Sequence, residues 1–342
     1  MQIKVEKIKR NLKKFKNNNF TKNNKKLTKQ SLKSGGNFVY FIFFCTFLSI
    51  VFFGIKRYFD FLEEKTTQYK LLASQIAKDY EGFLNYSQLL LNSINNEILK
   101  SKSFGVESFE ILSSIDRIRN QNHVANQMLF EGMLYWIDSN KYLIASSAGK
   151  VLKPIDLSSR DYLEKTEHEP WKLQVGKNVI GALSGQNILP IAVGVVGKNG
   201  HHVGTSVLSV KIESLIEKFN ISIVKNGGNF VILDQEGKII LDSNKKYFSE
   251  NNQFLSDIKN INLSKKVDVL SNFNLWKRND FFIVGERVFE YPFIVFYGVK
   301  NKLIYQELFV EILPYFIEAL FLLVVLASYL SMMRVRKFGR YN

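Results

Sequence analysis

The sequence predicts an α+β fold in which two transmembrane helices flank a long amphipathic helix and two tandem modules with antiparallel sheets. Three observations indicate this fold. Apolar runs with one acid or no charge lie near both ends of the chain, apolar residues at helical spacing follow the first run, and hairpin patterns of period two occupy the middle. The 342 residues therefore divide into two tails, two spans and one central domain.

The positive charge of the chain is concentrated in the tails. Of the formal net charge of +16, residues 1–36 carry +11 and residues 334–342 carry +4, which leaves +1 for everything between them. Lys and Arg next to an apolar run mark the cytoplasmic side of a membrane span. We therefore expect both tails in the cytoplasm. Residues 1–36 are rich in Lys and Asn, and we expect them to be disordered and to bind anionic membrane lipids, not nucleic acid.

The two apolar runs are long enough to cross a membrane. Residues 38–55 contain no charge, and residues 315–333 contain one acid, Glu318. At about 1.5 Å per residue, each run extends about 27 Å, close to the roughly 30 Å core of a bilayer. A cleaved signal peptide is the alternative for the first run, but its basic lead is long and residues 54–57 do not form a small-residue cleavage site. The only cysteine, Cys45, lies inside this run, so the central domain depends on its core alone.

The central domain, residues 57–310, begins with helices. Apolar residues recur three or four positions apart over residues 57–99, and no proline interrupts them. This pattern predicts one long amphipathic helix, which forms a coiled-coil seam between two copies of the chain, packs as a strut on its own domain, or does both along different parts. A second helix is predicted over residues 106–120.

Hairpin patterns then predict two modules. In the distal module, at about residues 100–220, strands flank Asp138-Ser139-Asn140 and the stretch 197–200, whose two glycines tolerate the positive φ of a tight turn. In the proximal module, at about residues 225–300, strands are predicted at 230–233 and 238–242 and at 280–288 and 292–299. Trp136-Ile137-Asp138 recurs 96 positions later as Ile232-Leu233-Asp234. This weak repeat indicates that the modules are related. Helices are predicted at 211–219 and 301–309.

No catalytic motif is present. Ala148-Gly149-Lys150 resembles the end of a phosphate-binding loop, but Ile144 and Val151 occupy positions that need Gly and Ser or Thr. The adjacent His201 and His202 would point to opposite faces of a strand, which does not suit one metal ion. We expect no cofactor and no enzyme activity. A periplasmic hydrolase is the enzyme alternative, and it lacks a nucleophile with a base nearby in sequence.

Arg160 is the most informative polar residue. It lies in a predicted helix start, where Asp156 or Ser158 can cap the helix and Asp161 complements the helix dipole. A cation in the first turn is unfavourable and needs compensation. An anionic ligand would provide it, as would an ion pair with Asp161 or Asp156.

A resemblance to a known family supports the ligand. The run Asp156-Leu157-Ser158-Ser159-Arg160-Asp161-Tyr162-Leu163, followed by Val175-Gly176, Ser184-Gly185-Gln186 and Gly204, resembles the helix-opening motif of double Cache domains. These PAS-like modules are extracytoplasmic sensors of bacterial membrane receptors, and the resemblance covers roughly residues 57–310. It implies that Arg160 and Tyr162 line a distal ligand pocket, with Trp171 as a further wall.

The sequence departs from the amino-acid-sensing branch of that family. That branch carries Arg-x-Trp-Tyr and an aspartate that holds the amine of the ligand, whereas this chain has Tyr162-Leu163 and no such aspartate before Ser184. A simple carboxylate therefore fits better than a zwitterion.

The resemblance also implies a role in signal transduction. We expect a two-pass protein of a bacterial inner membrane with a periplasmic sensor domain, which forms a homodimer through the long helix. Because residues 334–342 cannot hold an output enzyme, we expect a separate protein to receive the signal. The alternative is that the chain is a truncated remnant of a sensor kinase. A membrane-anchored structural or assembly protein is the other alternative, and an apolar plug beside Arg160 would favour it.

Overall fold

The computed structural model describes residues 2–121, 131–220, 227–244, 248 and 281–338. Residue 280 of the predicted strand 280–288 lies outside the described residues, as does most of the stretch between the two predicted hairpins of the proximal module. The chain divides into two compact units, one of Met1–Glu63 with Tyr305–Asn342 and one of Glu64–Ile304.

Helices and strands follow the predicted order. The helices are α1 (Gln2–Ser101), α2 (Ser108–Gln121), α3 (Asp161–His168), α4 (Ile212–Asn220) and α5 (Asn301–Phe338). The strands are β1 (Gly132–Asp138), β2 (Tyr142–Ser146), β3 (Gly149–Asp156), β4 (Gln174–Val175), β5 (Val179–Ile180), β6 (Asn187–Val196), β7 (His202–Lys211), β8 (Asn229–Asp234), β9 (Ile239–Asp242), β10 (Phe281–Arg287) and β11 (Phe293–Lys300). All four predicted hairpins are present, as β1–β2, β6–β7, β8–β9 and β10–β11.

The backbone of the basic tail differs from the prediction. Residues 1–36 were expected to be disordered, yet α1 is helical from Gln2 and continues without a break through the first apolar run. The tail contains no proline and is rich in Lys, a good helix former, although Gly35, Gly36 and several Asn residues in the same stretch disfavour a helix.

The first unit contains two helices that are long and apolar enough to cross a membrane. Their most apolar windows have mean hydropathies of 2.1 in α1 and 2.3 in α5, and little of either window is buried. Beyond the apolar runs, Arg57 of α1 donates hydrogen bonds to Glu311 of α5, with Nη2–Oε2 and Nε–Oε2 distances of 2.8 and 3.1 Å. Nearby, Gly54 faces the side chain of Tyr315. These contacts define an antiparallel helix pair.

The second unit is built on two antiparallel sheets. The larger sheet has seven strands in the order β3-β2-β1-β7-β6-β4, with β5 also paired to β6. The smaller sheet has the order β10-β11-β8-β9. Gly200 and Gly237, in the tight turns before β7 and β9, have φ angles of 77° and 75°, a region where glycine is favoured.

The predicted repeat is visible in the hydrogen bonds of both sheets. Asp138 Oδ1 accepts hydrogen bonds from the backbone N–H groups of Asn140 and Tyr142, at 3.0 and 2.8 Å. At the equivalent position, 96 residues later, Asp234 Oδ1 accepts from Glu236 and Lys238 at the same two distances. One turn design therefore joins β1 to β2 and β8 to β9.

The part of α1 within the second unit packs along both sheets. Tyr69 contacts Phe282 and Tyr297 of the smaller sheet, with ring centroids 5.3 and 5.6 Å apart. Further along α1, Asn95 Nδ2 donates to the Gly194 carbonyl of β6 at 3.4 Å. Because the apolar face of α1 is covered by its own domain, the strut interpretation is confirmed for this segment.

Candidate functional site

Arg160 lies at the start of α3, in a turn that follows β3. It occupies the N-cap position with extended backbone angles, φ −85° and ψ 119°, and no side chain caps the helix. The expected cap is therefore wrong. Asp156 Oδ1 instead accepts the Ser158 N–H at 2.8 Å, and this bond lowers the pKa of the Asp156 carboxyl because it stabilises the charged form. The tight turn places the Arg160 side chain over the larger sheet.

The guanidinium of Arg160 is compensated by a carbonyl group. Its Nη2 donates to the Ile180 carbonyl of β5 at 3.1 Å. Among the described residues it forms no ion pair, and Asp161 is instead 3.5 Å from Lys177 Nζ. The expected ion pair with Asp161 or Asp156 is thus absent from the described part of the chain. A guanidinium has five N–H groups, so most of its hydrogen-bonding capacity remains for a further acceptor.

Tyr162 is buried beneath Arg160. Its side chain is 5% exposed and packs in a cluster with Tyr135, Leu143 and Val207. Burial raises the pKa of the Tyr162 hydroxyl, and the nearby Arg160 charge partly opposes this effect. The hydroxyl is therefore protonated at neutral pH and available as a donor.

Arg160 and Tyr162 line one small cavity. The cavity has a volume of about 10 Å³, which is about the space of one water molecule. Besides Arg160 and Tyr162, its walls carry two hydroxyl groups and otherwise apolar side chains: Tyr135, Leu143, Leu157, Val179, Ala182, Ile188, Pro190, Val207 and Ser209. None of these side chains is acidic, so among the described residues Arg160 supplies the only charge in the lining.

Tyr135 and Ser209 were not predicted as members of the site. Both lie on neighbouring strands of the larger sheet, since Met133 of β1 pairs with Ser209 of β7. Burial raises the pKa of Tyr135, and a hydrogen bond with the Ser209 hydroxyl opposes this shift. The alternation of β1 places Tyr135 on one face of the strand, but only the register of β1 with β7 brings it to Ser209.

Trp171 does not line this cavity. Its side chain is 72% exposed and lines a separate groove of about 720 Å³ between the two sheets. The expectation that Trp171 forms a wall beside Arg160 is therefore wrong. Trp171 follows the end of α3, which carries it away from the residues at the start of that helix.

His168, His201 and His202 do not form a metal site with the described residues around them. His202 Nε2 lies 3.1 Å from the Thr205 hydroxyl, and burial lowers the pKa of His202. Within the described residues, no group of three His, Cys, Asp or Glu side chains could hold a metal ion.

Comparison with known proteins identifies a family for this chain. The family profile of the Cache domain matches residues 60–304. Comparison with curated proteins finds no match.

Three solved structures resemble the chain. The ligand-binding domain of the Pseudomonas fluorescens chemoreceptor CtaA, in complex with L-isoleucine, is 14% identical, with a TM-score of 0.52, covering 72% of this chain and 96% of that one. The extracellular domain of rpHK1S-Z16, a candidate histidine kinase, is 14% identical, with a TM-score of 0.53 and coverages of 70% and 96%. The ligand-binding domain of Mlp24 with asparagine is 13% identical, with a TM-score of 0.50 and coverages of 74% and 98%. At these identities the likenesses show a common fold.

Proposed function

Because the chain belongs to the Cache domain family, we propose that it is a membrane-anchored extracytoplasmic sensor that binds a small carboxylate-bearing ligand at Arg160 and Tyr162. In this proposal the larger and smaller sheets are two tandem PAS-like modules. Helices α1 and α5 cross a bacterial inner membrane, and both termini are cytoplasmic. The chain forms a homodimer through α1 and passes the signal to a separate output protein.

The charge pattern of the Arg160 cavity is the observation that carries the proposal. One guanidinium lies beside the Tyr135, Tyr162 and Ser209 side chains, and no acid lines the same cavity. Arginine binds a carboxylate through two parallel N–H donors, and hydroxyl groups can complete its hydrogen bonds. CtaA and Mlp24 were solved with amino acids bound. An ammonium group in this cavity would lack a carboxylate partner, so the ligand here is a simple carboxylate.

Ligand entry requires the cavity to open. A volume of about 10 Å³ holds about one water molecule, so a carboxylate must displace the segment that carries Val179 and Ala182. This segment is tied to Arg160 by the bond to the Ile180 carbonyl. A carboxylate would compete for the same guanidinium, so binding would favour release of β5 and a second arrangement of the larger sheet. To change the ratio of the two arrangements from 1:99 to 99:1, the ligand must bind the second arrangement more tightly by about 5.5 kcal/mol. A difference of this size requires a pocket that encloses the ligand on all sides.

Binding of small carboxylates to the full chain tests the site. The chain is purified in lipid nanodiscs and titrated calorimetrically with acetate, propionate and pyruvate. Arg160→Ala should abolish binding, Tyr162→Phe should weaken it several-fold because one hydroxyl donor is lost, and Lys153→Ala, an exposed cation of β3, should leave it unchanged. Equal binding by wild type and Arg160→Ala would refute the assigned site.

Membrane orientation is tested in intact cells. In a Cys45→Ser background, Lys153→Cys places a single thiol on an exposed position of β3. The proposal expects a membrane-impermeant maleimide to label this thiol once the outer membrane is permeabilised, before lysis of the inner membrane. Labelling only after lysis would place the domain in the cytoplasm and end the proposal.

The size of the cavity favours a second candidate function. Most of its lining is apolar and little space remains, which fits a membrane-anchored structural or assembly protein whose domain binds no ligand. The two functions differ in the calorimetric experiment, because a structural protein would bind none of the carboxylates while Arg160→Ala would still alter the stability of the domain.

A further inference from the structure

The groove that contains Trp171 has two walls of different charge. It measures about 720 Å³, within the range of small-molecule sites in proteins. One wall follows α3 and β4 of the larger sheet and carries Lys165 and Lys172 together with His168 and one acid, Glu169. The opposite wall belongs to the smaller sheet and carries Asp234, Glu236 and Glu290, with no basic side chain in its lining.

The two walls do not neutralise each other. In the described part of the chain no ion pair crosses the groove. Lys172 pairs with Glu169 of its own wall, with Nζ 3.0 Å from Oε2, which leaves Lys165 as the unmatched cation there. The acidic wall therefore faces a cationic wall across open space, and a molecule with one charge of each sign would satisfy both.

A buried polar residue lines the same groove. Gln174 of β4 is 8% exposed and lines the groove, and its amide nitrogen has no hydrogen-bond partner among the described residues. The pKa of Glu169 is lowered chiefly by Lys172 and also by the Gln174 side chain, so the Gln174 amide lies close to the Glu169 carboxyl on the same wall without forming a hydrogen bond of good geometry to it. Because the Gln174 amide nitrogen forms no hydrogen bond of good geometry among the described residues, an acceptor supplied by water or a ligand would stabilise it.

Aromatic groups complete the groove. Trp171 is 72% exposed, which is unusual for so large an apolar side chain that lines a concave surface. On the other wall, the Tyr291 hydroxyl lies 2.6 Å from Asn85 Oδ1 and 3.1 Å from Gln88 Oε1 of α1. Burial and the charge of Glu290 raise the pKa of Tyr291 to about 12, so its ring stays neutral and fixed beside the acids.

We propose that this groove is a second ligand site, which binds a zwitterion carrying both an ammonium and a carboxylate group, such as an amino acid or a short peptide. The ammonium group faces Asp234, Glu236 and Glu290. The carboxylate faces Lys165 and the Gln174 amide, and Trp171 covers the apolar part. The Arg160 cavity lacks an acid for the ammonium group, whereas this groove supplies both charges. The site does not depend on the function proposed for Arg160.

The exposed tryptophan provides the measurement. The full chain in lipid nanodiscs is labelled with 5-fluorotryptophan, which reports on its three tryptophans, and the Trp171 resonance in the fluorine spectrum is assigned with Trp171→Phe. Glycylglycine and L-isoleucine are the zwitterionic probes, and acetate and ethylammonium are the probes with one charge each. We expect the zwitterions to shift the Trp171 resonance saturably and to bind on the order of fivefold more tightly than either single-charge probe, since each probe loses one of the two ion pairs.

Variants separate the groove from the Arg160 cavity. Glu236→Gln, Glu290→Gln and Lys165→Gln should each weaken zwitterion binding on the order of fivefold, as expected for a partly exposed ion pair. Glu164→Gln, an exposed acid of α3 that does not line the groove, should leave binding unchanged. Arg160→Ala should also leave it unchanged, even where carboxylate binding at the first site is lost.

Several outcomes would overturn the proposal. These are a Trp171 resonance that no zwitterion shifts, ethylammonium binding as tightly as the zwitterions, and wild-type affinity in the three wall variants. Because carboxylate binding at Arg160 is measured by calorimetry with acetate, failure of one site remains distinguishable from failure of the other.

Discussion

Replacing Gly176 with alanine should damage the Arg160 cavity through Tyr162. A Cβ atom at position 176 would lie 2.5 Å from Tyr162 Cδ1 and 2.8 Å from Pro190 Cγ. Carbon atoms pack at about 3.5–4.0 Å, so the ring must move by about 1 Å. Tyr162 is 5% exposed within a packed cluster, and such overpacking lowers the free energy of unfolding by about 1–3 kcal/mol.

The control is a glycine with space around it. At Gly149, the first residue of β3, a Cβ atom would have no neighbour within 4 Å. Gly149→Ala should therefore change the free energy of unfolding by no more than about 0.5 kcal/mol. Both variants are unfolded with urea as the full chain in detergent, and the transition is followed by the fluorescence of the buried Trp136.

A double variant identifies the contact that causes the loss. In a Tyr162→Val background the ring is absent, so the additional effect of Gly176→Ala should fall to less than half of its value in the wild type, leaving the contact with Pro190. The reasoning is refuted if Gly176→Ala is as mild as Gly149→Ala, or if its effect is the same with and without the Tyr162 ring.

Two further predictions concern charged groups. The side chains of Arg57 and Glu311 are 34% and 42% exposed, so solvent should screen their ion pair. Single and double Gln variants, compared by thermal unfolding of the full chain, should give a coupling energy below about 1 kcal/mol. A larger coupling energy would contradict this screening. Burial lowers the pKa of His202, so the unfolded chain binds more protons and the stabilising contribution of this group is present above pH 6.5 and declines as the pH falls below it. In His202→Gln the urea midpoint of unfolding should change less between pH 7 and pH 5 than in the wild type. In the control His201→Gln the midpoint should change as much as in the wild type. An equal change in all three proteins would disprove the assignment to His202.

Hydrophobic periodicity was sufficient for most elements of the fold. The segment of α1 over residues 57–99 and the four hairpins follow from periods of 3.6 and 2, which record which face of each element is buried. The offset of 96 residues between Asp138 and Asp234 also followed from the sequence, because the same side chain caps the same turn in both sheets. Local patterns of this kind depend only on residues that are near in sequence.

Strand β3 shows where periodicity fails. It was not predicted, since its sequence Gly-Lys-Val-Leu-Lys-Pro-Ile-Asp contains no clear alternation and most of its side chains are exposed. β3 is an edge strand, paired only with β2, so one partner supplies its hydrogen bonds and little burial is required. An edge strand of this type forms because the adjacent strand offers free backbone hydrogen-bonding groups. The sequence of the edge strand alone does not contain that information.

The sequence by itself determined two apolar runs, an electrically balanced middle, a long helix and paired hairpins. It also placed an arginine at a helix start, without the aspartate that would bind the ammonium group of an amino-acid ligand. Tertiary structure decided which side chains meet. The register of β1 with β7 brings Tyr135 and Ser209 beneath Arg160, and the course of the chain after α3 carries Trp171 into the groove that faces the acids of the smaller sheet. Periodicity records which face of an element is buried, whereas a binding site is formed by contacts between elements distant in sequence, and these are fixed only by packing.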